Sequence, residues 1–196
     1  MCIRDSRETA GPASTRAAAV GLRIAAETVI DQAVPGLPSA RTFTAVAMPN
    51  PHLVAFVDTV DEAELVALGE WCEAGPDLIP ARANVSFVEV RGQDLFVRTY
   101  ERGVGLTDSC GSAMAASVHA AGRTGRLPFG TMIKVFNKGG LVMGSSDAAG
   151  MVTIRGNATF LYDAAIEVDP ARAAAEPPLV HARREDEAAA WAAAIP

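Results

Sequence analysis

The chain has 196 residues, 49% of them hydrophobic and 20% charged, a balance that suits a folded core and argues against wholesale disorder. Its formal charge of −6, from 17 basic and 23 acidic residues with no basic run, makes nucleic acid and anionic membrane poor partners. No apolar run approaches the roughly 20 residues of a membrane span and no basic start leads into an apolar segment, so the expectation is a cytoplasmic protein of one domain or two small ones.

Met1–Ser6, MCIRDS, fits no element and resembles a spurious leader from a translated sequencing read, so Cys2 carries no weight. Arg7–Ala40 is rich in Ala and Thr and closes at Pro35 and Pro38; Thr15–Val29 supplies one or two strands of indistinct period. From Arg41 the pattern sharpens. Thr42–Met48 and Leu53–Val57 are β-rich runs separated by Pro49-Asn50-Pro51, which cannot continue a ladder. Asp61–Cys72 reads as a helix with Leu65, Leu68 and Cys72 on one face, Asp61 as its cap and Gly75-Pro76 as its stop. Asn84–Val90 and Leu95–Tyr100 alternate and join at Gly92-Gln93, a hairpin signal. A helix of small residues follows from Cys110 and stops at Gly122; then Thr131–Asn137, Gly140–Met143, Met151–Arg155 and Ala158–Tyr162 make a meander with Gly-rich turns. Beyond Asp163 the chain turns polar and Ala/Pro-rich, with Asp169–Pro178 as a linker and Arg184–Ala194 as a terminal helix. Strands, one small-residue helix and more strands suit an α+β fold in which a curved, barrel-like sheet wraps around a central helix.

The chemistry concentrates in Tyr100–Gly122, YERGVGLTDSCGSAMAASVHAAG. A strand ends there, the chain turns through Gly103 and Gly105, and Cys110-Gly111-Ser112 stands at the mouth of the helix. Unsatisfied N–H donors and the positive end of the macrodipole make a helix start attractive to anions, and a thiol held there should ionise more easily than free cysteine. Cys2, Cys72 and Cys110 form no Cys-x-x-Cys pair and His52, His119 and His181 are scattered, which points to neither a zinc site nor a disulfide framework. An odd count of thiols suits a reducing compartment.

ERGVG and SCGSA, taken with MPNPH at 48–52, RANVSF at 82–87 and GNATFLYD at 156–163, resemble the second half of a diaminopimelate epimerase, over roughly residues 41 to 165 and in the family's order. The resemblance implies a nearly closed sheet around the Cys110 helix. Residues 41–165 would be the C-terminal epimerase domain, 7–40 a remnant of the N-terminal domain and 166–196 a tail. It implies an isomerase that inverts the α-carbon of a diamino dicarboxylic acid with no cofactor and no metal, using one cysteine from each of two similar domains; a homodimer of the full-length protein is left open. Three departures stand out: GLTDSCGSA where the family more often has GET, an alanine, then CGTGA; NKGG where Pro-Gly-Gly is usual; and nothing like the Cys-Gly-Asn-Gly segment that carries the other cysteine. The chain is therefore expected to be inactive alone.

Inversion takes a proton from one face of the carbon and returns one to the other, so it needs two groups of tuned pKa. Carried over residue by residue, Cys110 is one of the thiols, and the N–H groups of Gly111 and Ser112 cradle the α-carboxylate, where charge develops. Arg102 pairs with the distal carboxylate, and Glu101 binds the distal ammonium or steers the proton. Asn50 and Asn84 bind substrate, and His52 lies near the thiols. Each has a blander reading. Most free cysteines are small buried hydrophobes; Glu101 and Arg102 suit a surface salt bridge; Asn50-Pro51-His52 suits a strand-entry turn with a surface histidine; Asn84 suits a turn cap. His119, nine residues past Cys110, reads as structural. Cys72 reads as packing and Gly139-Gly140 as a turn. Two other functions stay open: a cofactor-free racemase of the same fold for another amino acid, and a non-catalytic amino-acid-binding module.

Overall fold

The computed structural model describes residues 5–158 and 160–193, with only the backbone of residues 5 and 6. The leader reading of Met1–Ser6 otherwise falls outside the described residues, as do Thr159 and Ala194. The elements are β1 (Asp5–Ala10), α1 (Ala17–Val20), β2 (Thr44–Ala47), β3 (Pro51–Phe56), α2 (Glu62–Glu73), β4 (Asn84–Arg91), β5 (Asp94–Glu101), β6 (Gly105–Thr107), α3 (Gly111–Arg123), β7 (Ile133–Asn137), β8 (Gly140–Ser146), β9 (Val152–Asn157), β10 (Tyr162–Ala165), β11 (Val168–Asp169), β12 (Ala174–Ala175), β13 (Leu179–Arg183) and α4 (Glu185–Ala192). Two compact units result: Arg7–Gly156, and the described residues before and after it. Among the described residues no helix is long and apolar enough to cross a membrane.

The larger unit is built on a mixed, curled sheet of nine strands, ordered β1-β9-β8-β7-β5-β4-β3-β2 with β6 added to β5. The curl is visible where the chain leaves β1. Ser14 exchanges backbone bonds of 3.1 and 2.8 Å with Ala47 of β2, and the Ala13 N–H donates to the Gly150 carbonyl at 2.8 Å, so the two ends of the sheet meet at one segment.

Two crossovers join parallel neighbours, β3 to β4 through α2 and β5 to β7 through α3. Both step the same way along the sheet, but β5 and β7 run opposite to β3 and β4, being linked to them through the antiparallel pair β4–β5. Crossovers of one hand then put the two helices on opposite faces. The core divides accordingly. Leu65, Leu68 and Cys72 of α2 pack with Ala45, Leu53, Ala55, Val85 and Phe87. On the other face, Met114, Ala115, Val118 and Ala121 of α3 pack with Val46, Val54, Val88, Val97 and Val135. With both faces covered, β3 is buried along almost its whole length, which is why PHLVAF shows no alternation.

Local signals account for the ends of the elements. The Asp61 carboxylate accepts the N–H groups of Ala63 and Glu64 at 2.9 and 3.1 Å, a cap worth about 1 kcal/mol. The hairpin at Gly92-Gln93 forms as expected, with Arg91 opposite Asp94. Small residues on α3 let β8 come close; a Cβ on Gly144 would lie 2.8 Å from Val118 Cγ2.

Three expectations need correction. Thr15–Val29 forms no named strand; it holds the single turn α1 and isolated bridges, and buries Val20, Leu22 and Val29 in the α2-side core. The meander forms over β7, β8 and β9, which pair antiparallel in order, but it does not extend to Ala158–Tyr162, whose described residues join no strand until β10 starts at Tyr162. The supposed linker Asp169–Pro178 belongs to a long hairpin. β10 pairs with β13 and β11 with β12, through backbone bonds that alanines make without any side-chain signal. In this smaller unit α4 is one residue inside the expected helix at its start, with Arg184 as its cap.

Candidate active site

A strand's side chains alternate, so residues two apart share a face. Val54, Val88 and Val97 face α3; in register with them, so do His52 on β3, Asn84 and Ser86 on β4, and Thr99 and Glu101 on β5. The apolar row thus becomes polar toward one end of the sheet. Ser86 Oγ and Thr99 Oγ1 sit 2.9 Å apart within it. β6 folds back along β5 so that Thr107 lies opposite Thr99, and its hydroxyl donates to Glu101 Oε1 at 2.5 Å.

α3 begins against this row. Cys110 is its N-cap residue, extended at φ −143° and ψ 103°. Gly111 and Ser112 follow in the first turn, where geometry leaves N–H groups without intrahelical acceptors. Asn50 Nδ2 donates to Ser112 Oγ at 3.1 Å, and Ser112 Oγ lies 3.6 Å from Cys110 Sγ. Cys110 is 8% exposed and lines a narrow recess with Val97, Thr99, Thr107, Met114 and Asn137.

The expectation of an easily ionised thiol is overturned. Burial pushes the Cys110 pKa up; the Ser112 hydroxyl and the Ala113 N–H oppose it, and the charge of the nearby Glu101 carboxylate adds to the rise. A helix start contributes only about 0.3–1 kcal/mol in the opposite direction. Burial and a neighbouring anion outweigh it, so the thiol holds its proton at neutral pH.

His52 is not the surface histidine of the blander reading. It is 0% exposed, and burial, reinforced by the Arg102 charge, pushes its pKa down to about 3. Its Nδ1 lies 3.5 Å from Asn84 Nδ2, and its Nε2 is buried without a partner among the described residues. Asn84 Oδ1 accepts the Arg102 backbone N–H at 2.9 Å, so this asparagine does hold a turn while lying on the α3 face. The Arg102 guanidinium donates to the Ala81 carbonyl at 3.0 Å and forms no ion pair with Glu101. β5 ends at Glu101 and the chain turns through Gly103 at φ +78°, the kink that lets neighbouring residues leave the strand differently. The structure thus brings Asn50, Gly111 and Ser112 to Cys110 at the start of α3, sets Glu101 against Thr107 beside them, and places His52, Asn84 and Arg102 in a neighbouring cluster on the same strand ends.

Cys72 is fully buried on α2, where burial pushes its thiol up to about 12. His119 Nδ1 contacts Ser146 Oγ at 2.8 Å, a structural bond away from Cys110. Among the described residues no group of three or more His, Cys, Asp or Glu could hold a metal.

Sequence reasoning missed Arg98, Thr107 and Asn137. Buried Arg98 reaches Glu62 Oε1 at 2.8 Å, the Thr107 carbonyl at 2.9 Å and Asp108 Oδ1 at 3.1 Å, and so pins the segment leading to Cys110. The β7–β8 turn supports the same segment: the Gly139 N–H donates to the Asp108 carbonyl at 2.8 Å, and a Cβ on Gly139 would lie 3.0 Å from that oxygen. A charge inside an otherwise apolar strand signalled Arg98, and NKGG signalled Asn137.

The family model described as diaminopimelate epimerase matches residues 44–161. The diaminopimelate epimerase of Clostridium acetobutylicum is 39% identical over 148 residues, covering 73% of this chain and 44% of its own. That of Lactiplantibacillus plantarum is 45% identical over 147 residues, covering 69% and 44%. The chain spans about half the length of the curated relatives it matches. Among solved structures, a Bacillus anthracis phenazine biosynthesis protein of the PhzF family aligns over 61% of this chain and 37% of its own, with 18% identity and a TM-score of 0.41, too loose a likeness to argue from. With the family's model covering more than half of the sequence, the chain belongs to the diaminopimelate epimerase family.

Proposed function

We propose that the Cys110 recess is one half of a cofactor-independent epimerase site that interconverts LL- and meso-diaminopimelate by a two-base mechanism. The observation that carries this is the polar group assembled at the start of α3, with Asn50 bonded to Ser112, Ser112 beside Cys110, and Thr107 bonded to Glu101. The α-carboxylate lies on the first-turn N–H groups, where the charge of the developing carbanion is stabilised. Cys110, held protonated by burial and by Glu101, returns a proton to one face of the α-carbon, and in the reverse direction Glu101 accepts the proton that the thiol gives up. Arg102 takes the distal carboxylate on leaving the Ala81 carbonyl, and Asn84 turns its amide nitrogen to the distal end. His52, with Nε2 unpartnered among the described residues, serves the thiol on the opposite face. That second thiol is not Cys72, which is buried on the far side of the sheet. The same proposal takes α3 as the axis of the curled sheet and residues 7–40 as the last piece of a preceding domain.

The test uses this chain with LL-diaminopimelate in deuterium oxide. LL-Diaminopimelate should slow alkylation of Cys110 by iodoacetamide while the chain inverts almost none of it. Loss of protection would overturn the substrate assignment, and full turnover would overturn the half-site.

A further inference from the structure

We propose that Asn137 determines specificity in the Cys110 recess: its side-chain oxygen accepts a hydrogen bond from the α-ammonium of an amino acid whose carboxylate lies on the first turn of α3. The inference rests on the function proposed above and names a residue for the third substituent of the reacting carbon.

Asn137 is the last residue of β7, on the row that carries Ile133 and Val135 toward α3. Leu95 pairs with Val135, so the same register sets Asn137 beside Val97, and both line the recess with Cys110 and Met114. The side chain is 7% exposed. Its Nδ2 donates to Met114 Sδ at 3.2 Å, while its Oδ1 has no partner among the described residues. The sulfur fixes which way the amide faces, because the flipped amide would set two acceptors together. A buried carbonyl left unpaired between Val97 and Met114 is a standing cost that a leucine would not carry. The amide makes sense there if something else supplies the donor.

The chemistry of the recess says which donor. A zwitterionic amino acid brings a carboxylate, a hydrogen and an ammonium to its α-carbon. The first-turn N–H groups suit the carboxylate and Cys110 Sγ suits the hydrogen. The ammonium needs an acceptor, and Glu101 already holds the Thr107 hydroxyl. Asn137 Oδ1 is an uncommitted acceptor on the same recess. Its position is firm, since the adjoining turn is bonded to Asp108, two residues before Cys110.

The experiment compares α-aminopimelate with pimelate, which lacks only the ammonium, as protectors of Cys110 against iodoacetamide on this chain. The unsubstituted chain should prefer α-aminopimelate by about tenfold, the worth of one hydrogen bond to a charged group. Asn137→Leu should abolish the preference and Asn137→Asp should raise it. Both ligands are read on one thiol of one variant, so their ratio does not depend on how much of that variant is folded. A preference that survives Asn137→Leu, or that falls in Asn137→Asp, overturns the role of Asn137 and leaves the amino-acid seat standing. No preference in the unsubstituted chain overturns the seat itself, and this proposal with it.

Discussion

Each face of the strands β2–β5 holds a buried cysteine beside a helix, and the two have opposite prospects. On the α2 side, Cys72 sits in the last turn, among Leu65, Leu68, Leu53 and Phe87, with nothing polar to work with. On the α3 side, Cys110 stands before the first turn, near a hydroxyl, an N–H and a carboxylate, and beside a recess. Both thiols are pushed up by burial. What separates them is the company each keeps. A thiol becomes chemical when donors and acceptors surround it and space adjoins it, and the alternation of β3, β4 and β5 puts those groups on one face only.

Alkylation should expose this contrast most sharply. In the folded chain at mildly alkaline pH, iodoacetamide should modify Cys110 at least about a hundredfold faster than Cys72, because almost none of a thiol with a pKa near 12 is ionised there. Peptide mapping by mass spectrometry over time reads both sites at once. Comparable rates would mean that the two faces do not differ as described.

Much of this contrast was legible in the sequence. The alternation of Asn84–Val90 and Leu95–Tyr100 gave the strands, Asp61 the start of α2, and SCGSA the helix mouth. The burial of His52 was not legible, because Pro49-Asn50-Pro51 looks the same at the surface as beneath a curled sheet. The rise in the Cys110 pKa was not legible either: helix position can be read from a sequence, whereas desolvation depends on β4, β5 and β7 closing over the site. Arg98 and Asn137 escaped for a related reason, since their partners Glu62, Asp108 and Met114 lie 36, 10 and 23 residues away.

The polar row should also make folding sensitive to pH in a way that the α2 face does not. His52 stays neutral in the folded chain down to about pH 3, whereas an unfolded histidine ionises near 6.5. Between those values the unfolded state binds the extra proton, so stability falls as pH falls, by up to about 1.4 kcal/mol per pH unit. His119, also lowered, acts in the same direction. His52→Leu should therefore flatten the acid side of the stability curve without levelling it. Urea unfolding of both proteins across that window reads the difference; parallel curves would show that His52 meets water in the folded state.

The smallest expected effect probes the contact that most distinguishes the two thiols. Glu101 helps hold the Cys110 proton in place by its charge. Glu101→Gln keeps an oxygen for the Thr107 hydroxyl and removes the charge. With burial unchanged, the thiol pKa should fall only part of the way back toward its ordinary value, and alkylation of Cys110 near neutral pH should quicken severalfold, by about three- to tenfold. The midpoint of the pH–rate curve should move to lower pH by a matching amount, with Cys72 unaffected. A slower thiol in Glu101→Gln would reverse the relation, making the carboxylate a group that draws the proton away in the resting protein. Cys110 would then resemble an ordinary base and lose the part of proton donor proposed for it.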